Sequence, residues 1–103
     1  MTMDQEQREL LYKQVLETWG MKAQVMMLFE ETAELQKEVC KHFNRGEQNV
    51  ENVEEEVADV EIMIAQLKTM LDISKERVEA IKERKLQRLK MRLEEWKENQ
   101  QNQ

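Results

Sequence analysis

The chain has 103 residues, which is the size of one domain. Hydrophobic residues make up 40% of it and charged residues 37%, with two Gly and no Pro, so a turn-rich sheet protein is excluded and an all-α fold is expected. The net charge of −6 argues against a grip on a nucleic acid polymer or an anionic membrane surface by simple charge attraction.

The N-terminal segment MTMDQEQREL lacks the basic and apolar regions of a signal peptide. No apolar run approaches the roughly 20 residues that cross a bilayer. The single cysteine, Cys40, excludes an internal disulfide, and we expect its thiol to be buried or half-buried. We therefore expect a soluble protein of the cytoplasm with no membrane partner.

The apolar pattern predicts four helices. The first runs from about Asp4 to Trp19 and ends or kinks at Gly20, because glycine is a poor interior helix residue. The second runs from Met21 to Phe43 along one apolar stripe. The string Asn44-Arg45-Gly46 then predicts a turn in which the glycine takes a left-handed conformation just past the helix end.

The third helix has the most regular pattern, with Val, Ile and Leu at alternating three- and four-residue steps from Val50 to Leu71. Ser74 is predicted to cap the fourth helix, which runs from about Lys75 into the nineties. We expect a four-helix bundle-like protomer around a central antiparallel hairpin, forming one helical domain over residues 1–98 with a disordered polar tail over residues 99–103. Because four such helices enclose little core, we predict a homodimer or homotetramer.

Two carboxylate pairs stand out in the predicted hairpin. Glu31 and Glu34 are three residues apart on the second helix, as are Glu56 and Asp59 on the third, so each pair shares one helix face at the margin of the apolar stripe. An antiparallel hairpin that folds near Arg45 sets Glu31 level with Asp59, and Glu34 level with Glu56. Four such carboxylates repel one another unless a cation neutralises them or some are protonated.

An all-oxygen ligand set favours Mg²⁺, with Mn²⁺ as the alternative, because Zn²⁺ sites usually recruit His or Cys. A chain this rich in Glu also forms such pairs by chance. From spacing and symmetry alone, a metal site and a solvated hairpin margin therefore stay equally open.

The sequence around these carboxylates resembles the MazG-like nucleotide pyrophosphohydrolases of the all-α NTP-pyrophosphatase superfamily, in particular their small, stand-alone phage-type members. The resemblance covers about residues 19–93. It is carried by the strings Trp19-Gly20, Gln24, Glu30-Glu31-x-x-Glu34-Leu35 and Glu55-Glu56-x-Ala58-Asp59-Val60. In that family an EExxE and an ExxD segment supply the metal-binding carboxylates, and these match Glu31, Glu34, Glu56 and Asp59.

The resemblance implies Mg²⁺-dependent hydrolysis of a nucleoside or deoxynucleoside triphosphate to the monophosphate and pyrophosphate. Water is then the nucleophile, and Glu34 is a candidate for the general base. In similar proteins cations of the last helix contact the phosphates, and these match Lys85 and Arg88. Trp19 and Gln24 are candidates for base recognition, by stacking and by amide hydrogen bonds. The alternatives are a solvated basic face and a core position for Trp19.

A second interpretation needs no chemistry, because sustained apolar stripes and charged faces also suit a non-enzymatic helical protein-protein interaction module. Metal dependence separates the two. Mg²⁺ is expected to raise the melting temperature of the enzyme, and Glu34→Gln or Glu56→Gln to remove that rise together with pyrophosphate release.

Overall fold

The computed structural model describes residues 1–102, and this part of the chain is all-helical with no strand. Its helices are α1 (Gln5–Arg45), α2 (Val50–Met70) and α3 (Lys75–Gln101). None of these helices has the length and apolar character needed to cross a membrane. The chain divides into two compact units, Met1–Asp72 and Ile73–Gln103.

Helix α1 contains a break at Gly20, whose φ of 85° and ψ of 163° lie outside the helical region. This conformation is essentially restricted to glycine. The break divides α1 into an N-terminal segment (residues 5–19) and a C-terminal segment (residues 21–45), which correspond to the first two predicted helices. The structure therefore has three helices where four were predicted, with the predicted boundary at Gly20 present as a break inside α1.

The N-terminal segment of α1 folds back along α2. Leu11 of this segment and Ile62 of α2 line the same groove. The C-terminal segment of α1 pairs with α2 so that Glu31 lies beside Asp59. A straight α1 in this register would carry Leu11 about 25 Å along the axis from the level of Ile62. The backbone of Gly20 therefore reverses the chain and places a third helical segment against the hairpin.

The predicted turn is confirmed. Gly46 is left-handed, with φ 67° and ψ 22°, and its N–H donates to the carbonyl of Lys41. His42 Nδ1 lies 3.0 Å from the carbonyl oxygen of Glu47, which adds a side-chain contact across the same turn. These interactions satisfy backbone groups that the end of α1 leaves free, and they set the antiparallel course of α2.

The first unit has a thin core. Met63 on α2, 5% exposed, is the one apolar side chain that is buried within residues 1–102. The other buried side chains are polar, Gln24 and Glu38 on α1. Cys40 is exposed, so the expected burial of its thiol is wrong. Its sulfur accepts a hydrogen bond from Nδ2 of Asn44, which lies one turn further along α1. Little apolar surface is therefore removed from water inside a single chain.

The second unit consists mainly of α3. Ser74 caps it as predicted, since its Oγ accepts from the Arg77 N–H at 3.2 Å. From Glu79 to Asn102 every side chain is exposed. Residues 99–101, which belong to the predicted disordered tail, form the last turn of α3. Gln103, the end of that predicted tail, lies outside the described residues.

Candidate metal centre

Three carboxylates converge where the C-terminal segment of α1 and α2 face each other. One oxygen from each of Glu31 on α1, Glu56 on α2 and Asp59 on α2 lies within 4.8 Å of the other two. Glu31 and Glu56 are half-buried and Asp59 is exposed. We call these three residues the carboxylate cluster. They are three of the four carboxylates that the sequence pairs across the turn.

The register of the hairpin places the cluster. Asn49 Nδ2 donates to Glu38 Oε2 at 2.7 Å and to the Glu38 carbonyl at 2.9 Å, so the start of α2 is tied to α1. Glu31 lies two turns before Glu38 on the same row of α1. From this anchor, the antiparallel course of α2 brings Asp59 level with Glu31.

Two members of the cluster, Glu31 and Glu56, have raised pKa values. Burial raises the pKa of Glu31 above its ordinary value of 4.5, and the negative charges of Asp59 and Glu56 raise it further. Burial is also the largest cause of the raised pKa of Glu56, followed by the charges of Asp59 and Glu34. Both shifts mean that the negative forms are held in an environment that disfavours them. A positive charge at the cluster would reverse this effect.

Glu34 stands beside the cluster without belonging to it. It is exposed, and its oxygens are not among the three that lie within 4.8 Å of one another. Its charge nevertheless contributes to the raised pKa of both Glu31 and Glu56. Glu34 therefore adds negative charge to the surroundings of the cluster while its carboxylate stays in contact with water.

The residues present fit a hard divalent cation. Glu56 Oε2 is buried and has no hydrogen-bond partner, which is a costly state for a carboxylate oxygen. Within residues 1–102 the only ion pairs join Lys41 to Glu38 and Lys82 to Glu79, so no Lys or Arg neutralises the cluster. Carboxylate oxygens are the ligands that Mg²⁺ and Mn²⁺ prefer. A cation of this kind would satisfy both the charge and the unpaired oxygen.

Glu38 lies one turn beyond Glu34 on the same row of α1 and has a different role. It is buried and hydrogen-bonded, with Asn49 as its main partner and Lys41 Nζ at 3.3 Å. The hydrogen bond from Asn49 is the largest cause of its lowered pKa, and Lys41 lowers the pKa further. Because its oxygens are already engaged, Glu38 holds the hairpin together instead of extending the cluster.

The remaining predicted site residues differ in exposure. Trp19 is 66% exposed and directly precedes Gly20, so it is not a core anchor. Gln24 is only 6% exposed. Lys85 and Arg88 are exposed on α3, three residues apart and therefore on one face of that helix.

Sequence reasoning missed two polar residues with structural roles, Asn49 and Gln66. Asn49 carries the hydrogen bonds to Glu38, and its position directly before a helix is typical of an N-cap, yet it makes no side-chain cap bond. Gln66 has a buried Oε1 with no hydrogen-bond partner. The available signal for Gln66 was its place seven residues after Asp59, on the same row of α2.

No family model matches the chain, and comparisons with the curated proteins and with the solved structures give no match either.

Proposed function

We propose that the protein is a Mg²⁺-dependent nucleoside triphosphate pyrophosphohydrolase of the MazG-like kind, which hydrolyses a ribo- or deoxyribonucleoside triphosphate to the monophosphate and pyrophosphate. The observation that carries the proposal is the carboxylate cluster, in which Glu56 Oε2 is buried without a partner. Three acidic groups that lie close together without a basic neighbour suit a divalent cation and its phosphate ligand.

Each residue then has a defined task. Glu31, Glu56 and Asp59 hold Mg²⁺, or Mn²⁺ in its place. When bound, the cation polarises phosphate oxygens and lowers the pKa of a coordinated water. Glu34 is exposed beside the cluster, so it is the candidate to accept the proton of the attacking water.

The substrate side of the reaction involves four further residues. Lys85 and Arg88 present two cations on one face of α3, which suits the oxygens of a triphosphate. The exposed ring of Trp19 is available to stack on a base. Gln24 is buried, so it supports the base site from within the first unit.

We also propose that the protein works as a homodimer or homotetramer in the cytoplasm. The thin core supports assembly, since Met63 is the one buried apolar side chain in the described part of the chain. The free, exposed thiol of Cys40 suits a reducing compartment. Sedimentation at micromolar concentration tests the assembly, and a species of monomer mass alone would contradict it.

The melting temperature with and without Mg²⁺ tests the metal site. We expect Mg²⁺ to raise it in the wild type, because a ligand that binds only the folded state stabilises that state. Glu56→Gln should remove the rise. Glu34→Gln should reduce it less, because Glu34 is not among the converging oxygens. Glu54→Gln is the matched control, since Glu54 is exposed and lies about 160° around α2 from Glu56.

Pyrophosphate release from a panel of ribo- and deoxyribonucleoside triphosphates tests the reaction itself. We expect release from at least one of them, dependent on Mg²⁺ and abolished by Glu56→Gln. If no triphosphate releases pyrophosphate while Mg²⁺ still raises the melting temperature, the cluster binds metal but the proposed reaction is wrong.

One observation favours a second candidate, a non-enzymatic helical protein-protein interaction module. Four apolar side chains of α3 lie at three- and four-residue steps and are all more than half exposed: Leu86, Leu89, Leu93 and Trp96. This spacing is typical of a helix that packs against another helix. A protein that binds helical partners, is indifferent to Mg²⁺ and releases no pyrophosphate would favour this candidate.

A further inference from the structure

A groove with a cavity volume of about 580 Å³ lies in the first unit, between the N-terminal segment of α1 and α2. This volume is within the range of about 300–1,000 Å³ that is typical of small-molecule sites. Leu11, Val15 and Ile62 are among its apolar lining residues. Tyr12 and Gln66 supply polar groups on opposite walls, one from α1 and one from α2. Such a mixture is characteristic of ligand pockets.

Gln66 carries the clearest sign of a missing partner. Its Oε1 is buried and accepts no hydrogen bond, although a buried amide oxygen is almost always paired in folded proteins. Because this acceptor lies on a residue that lines the groove, a ligand with an N–H donor would satisfy it. The residue as a whole is only half-buried, so a rotation of its terminal amide brings Oε1 within reach of a ligand in the groove.

Of the α2 residues that line the groove, Gln66 shares a row of the helix with Asp59 of the carboxylate cluster. Gln66 follows Asp59 by seven residues, so the two side chains lie on one side of the helix, about 10 Å apart along its axis. Ala58, Glu61 and Ala65 line the groove from a side of α2 that lies about 100–160° around the helix from Asp59, so Gln66 is the groove residue that links the two sites. The register that sets Glu31 level with Asp59 also sets the buried Gln24 level with Gln66. A molecule that reaches from the groove to the cluster therefore runs along α2.

The groove suits a flat, neutral ring. Arg8 and Glu61 line it with opposite charges, so it provides no net charge for phosphates. Ala58 and Ala65 leave space on the α2 wall, and Tyr12 provides an aromatic surface on the α1 wall. A nucleobase combines a flat ring, no charge and N–H donors at its edge. Its attached sugar and phosphates would extend toward Asp59.

We propose that this groove binds the nucleobase of the substrate, with Gln66 Oε1 accepting a hydrogen bond from the base edge and Tyr12 packing against its face. The proposal rests on the proposed function, because it names the base site of the same enzyme. It replaces the assignment of base binding to Trp19 and Gln24, neither of which lines the groove.

Nucleosides without phosphates test the groove separately from the reaction. The metal-free full-length protein is titrated with uridine, thymidine, cytidine, adenosine and guanosine, and amide chemical shifts are followed by NMR. We expect at least one nucleoside to bind saturably, with the largest shifts in residues 8–15 and 58–66. Each nucleoside that binds is compared with an analogue methylated on its N–H groups, which should bind at least tenfold more weakly. The absence of saturable binding by any nucleoside would overturn the proposal.

Three variants test the assigned contacts. Gln66→Met keeps the side-chain length but removes the acceptor, and it should weaken nucleoside binding at least tenfold. Gln36→Met is the matched control, because Gln36 is exposed and does not line the groove, and it should bind within twofold of wild type. Ala58→Leu fills the groove from an exposed helix position and should block binding without unfolding the chain, which circular dichroism checks. Unchanged binding by both Gln66→Met and Ala58→Leu would contradict the assignment.

Glu56→Gln separates this proposal from the proposed function. This variant should lose Mg²⁺-dependent pyrophosphate release and still bind nucleosides like wild type, because the groove does not include the cluster. Nucleoside binding by a wild type that releases no pyrophosphate would refute the hydrolase and leave the groove standing. Pyrophosphate release without nucleoside binding in this groove would refute the groove as the base site and leave the hydrolase standing.

Discussion

Asn49 donates from its side-chain Nδ2 to both Oε2 and the backbone carbonyl of Glu38, at 2.7 and 2.9 Å, although the two residues are eleven positions apart. The pair joins the residue before α2 to the C-terminal segment of α1. It therefore fixes the register between the two helices. The carboxylate cluster depends on this register, because only in it do Glu31 and Asp59 lie side by side.

Replacing Asn49 by Ala should destabilise the fold, because Glu38 loses its main hydrogen-bond donor while it remains buried. We expect the melting temperature to fall by about 5 °C. The Mg²⁺-induced rise should also become smaller as the register loosens. Asn44→Ala is the control, since Asn44 donates only to the sulfur of the exposed Cys40 and its loss should change little. Equal melting temperatures for the two variants would refute the anchoring role of Asn49.

Removing the charge of Glu56 should stabilise the metal-free protein at neutral pH. Its pKa is raised above 4.5 in the folded state, so its contribution to stability is lost as pH rises from 4.5 through that raised pKa. Glu56→Gln should therefore unfold at a higher temperature than wild type at neutral pH. The difference should shrink below pH 4.5, where the wild-type carboxyl is protonated. Thermal unfolding against pH in a chelating buffer measures this, and a lower melting temperature for the variant at neutral pH would contradict it.

Gly20→Ala should be costly although nothing lies within 4 Å of the added methyl group. The cost comes from the backbone, since φ 85° with ψ 163° is unfavourable for any residue with a side chain. We expect a loss of about 2 kcal/mol in the free energy of unfolding, measured with urea. Gly46→Asn is the comparison, because its left-handed φ of 67° is accessible to Asn and should cost less than about 1 kcal/mol. Equal losses would show that the break at Gly20 does not depend on this backbone conformation.

Lys85→Gln and Arg88→Gln should each raise the KM for the triphosphate, by about tenfold, because each removes one charge-assisted contact to phosphate. Their melting temperatures should stay close to wild type, since both side chains are exposed. Lys90→Gln is the matched control, because Lys90 lies about 160° around α3 from Arg88 and removes the same charge from a different face. A KM for Lys90→Gln as high as those of the other two variants would indicate a general charge effect instead of contacts by named residues.

Local features of the fold were predictable because neighbouring residues cause them. Gly20 and Gly46 mark the break and the turn, since glycine enters both backbone conformations without the steric cost that a side chain brings. Ser74 starts α3 through a bond to an N–H three residues away. The facing of Glu31 and Asp59 was also predictable, because the turn at Gly46 and an antiparallel course fix which residues are level.

Longer-range features were not predictable in the same way. Helical periodicity indicates which residues share a face but does not fix the conformation of a side chain. It therefore grouped Glu34 with the other three carboxylates, whereas the structure places the Glu34 oxygens outside the cluster. The groove at Gln66 depends on how the chain reverses at Gly20. The sequence showed that the helix breaks there but gave no direction for the reversal.

Composition and periodicity by themselves determined that the chain is helical, where its helices stop, and that Glu31 and Asp59 face each other, since all of these follow from spacing along one polypeptide. Only the tertiary structure decided that Glu56 Oε2 is buried without a partner, that Glu38 is bound to Asn49, and that a groove opens beside Gln66. Burial and hydrogen-bond pairing depend on atoms brought together from distant parts of the chain, and helical periodicity contains no information on such contacts.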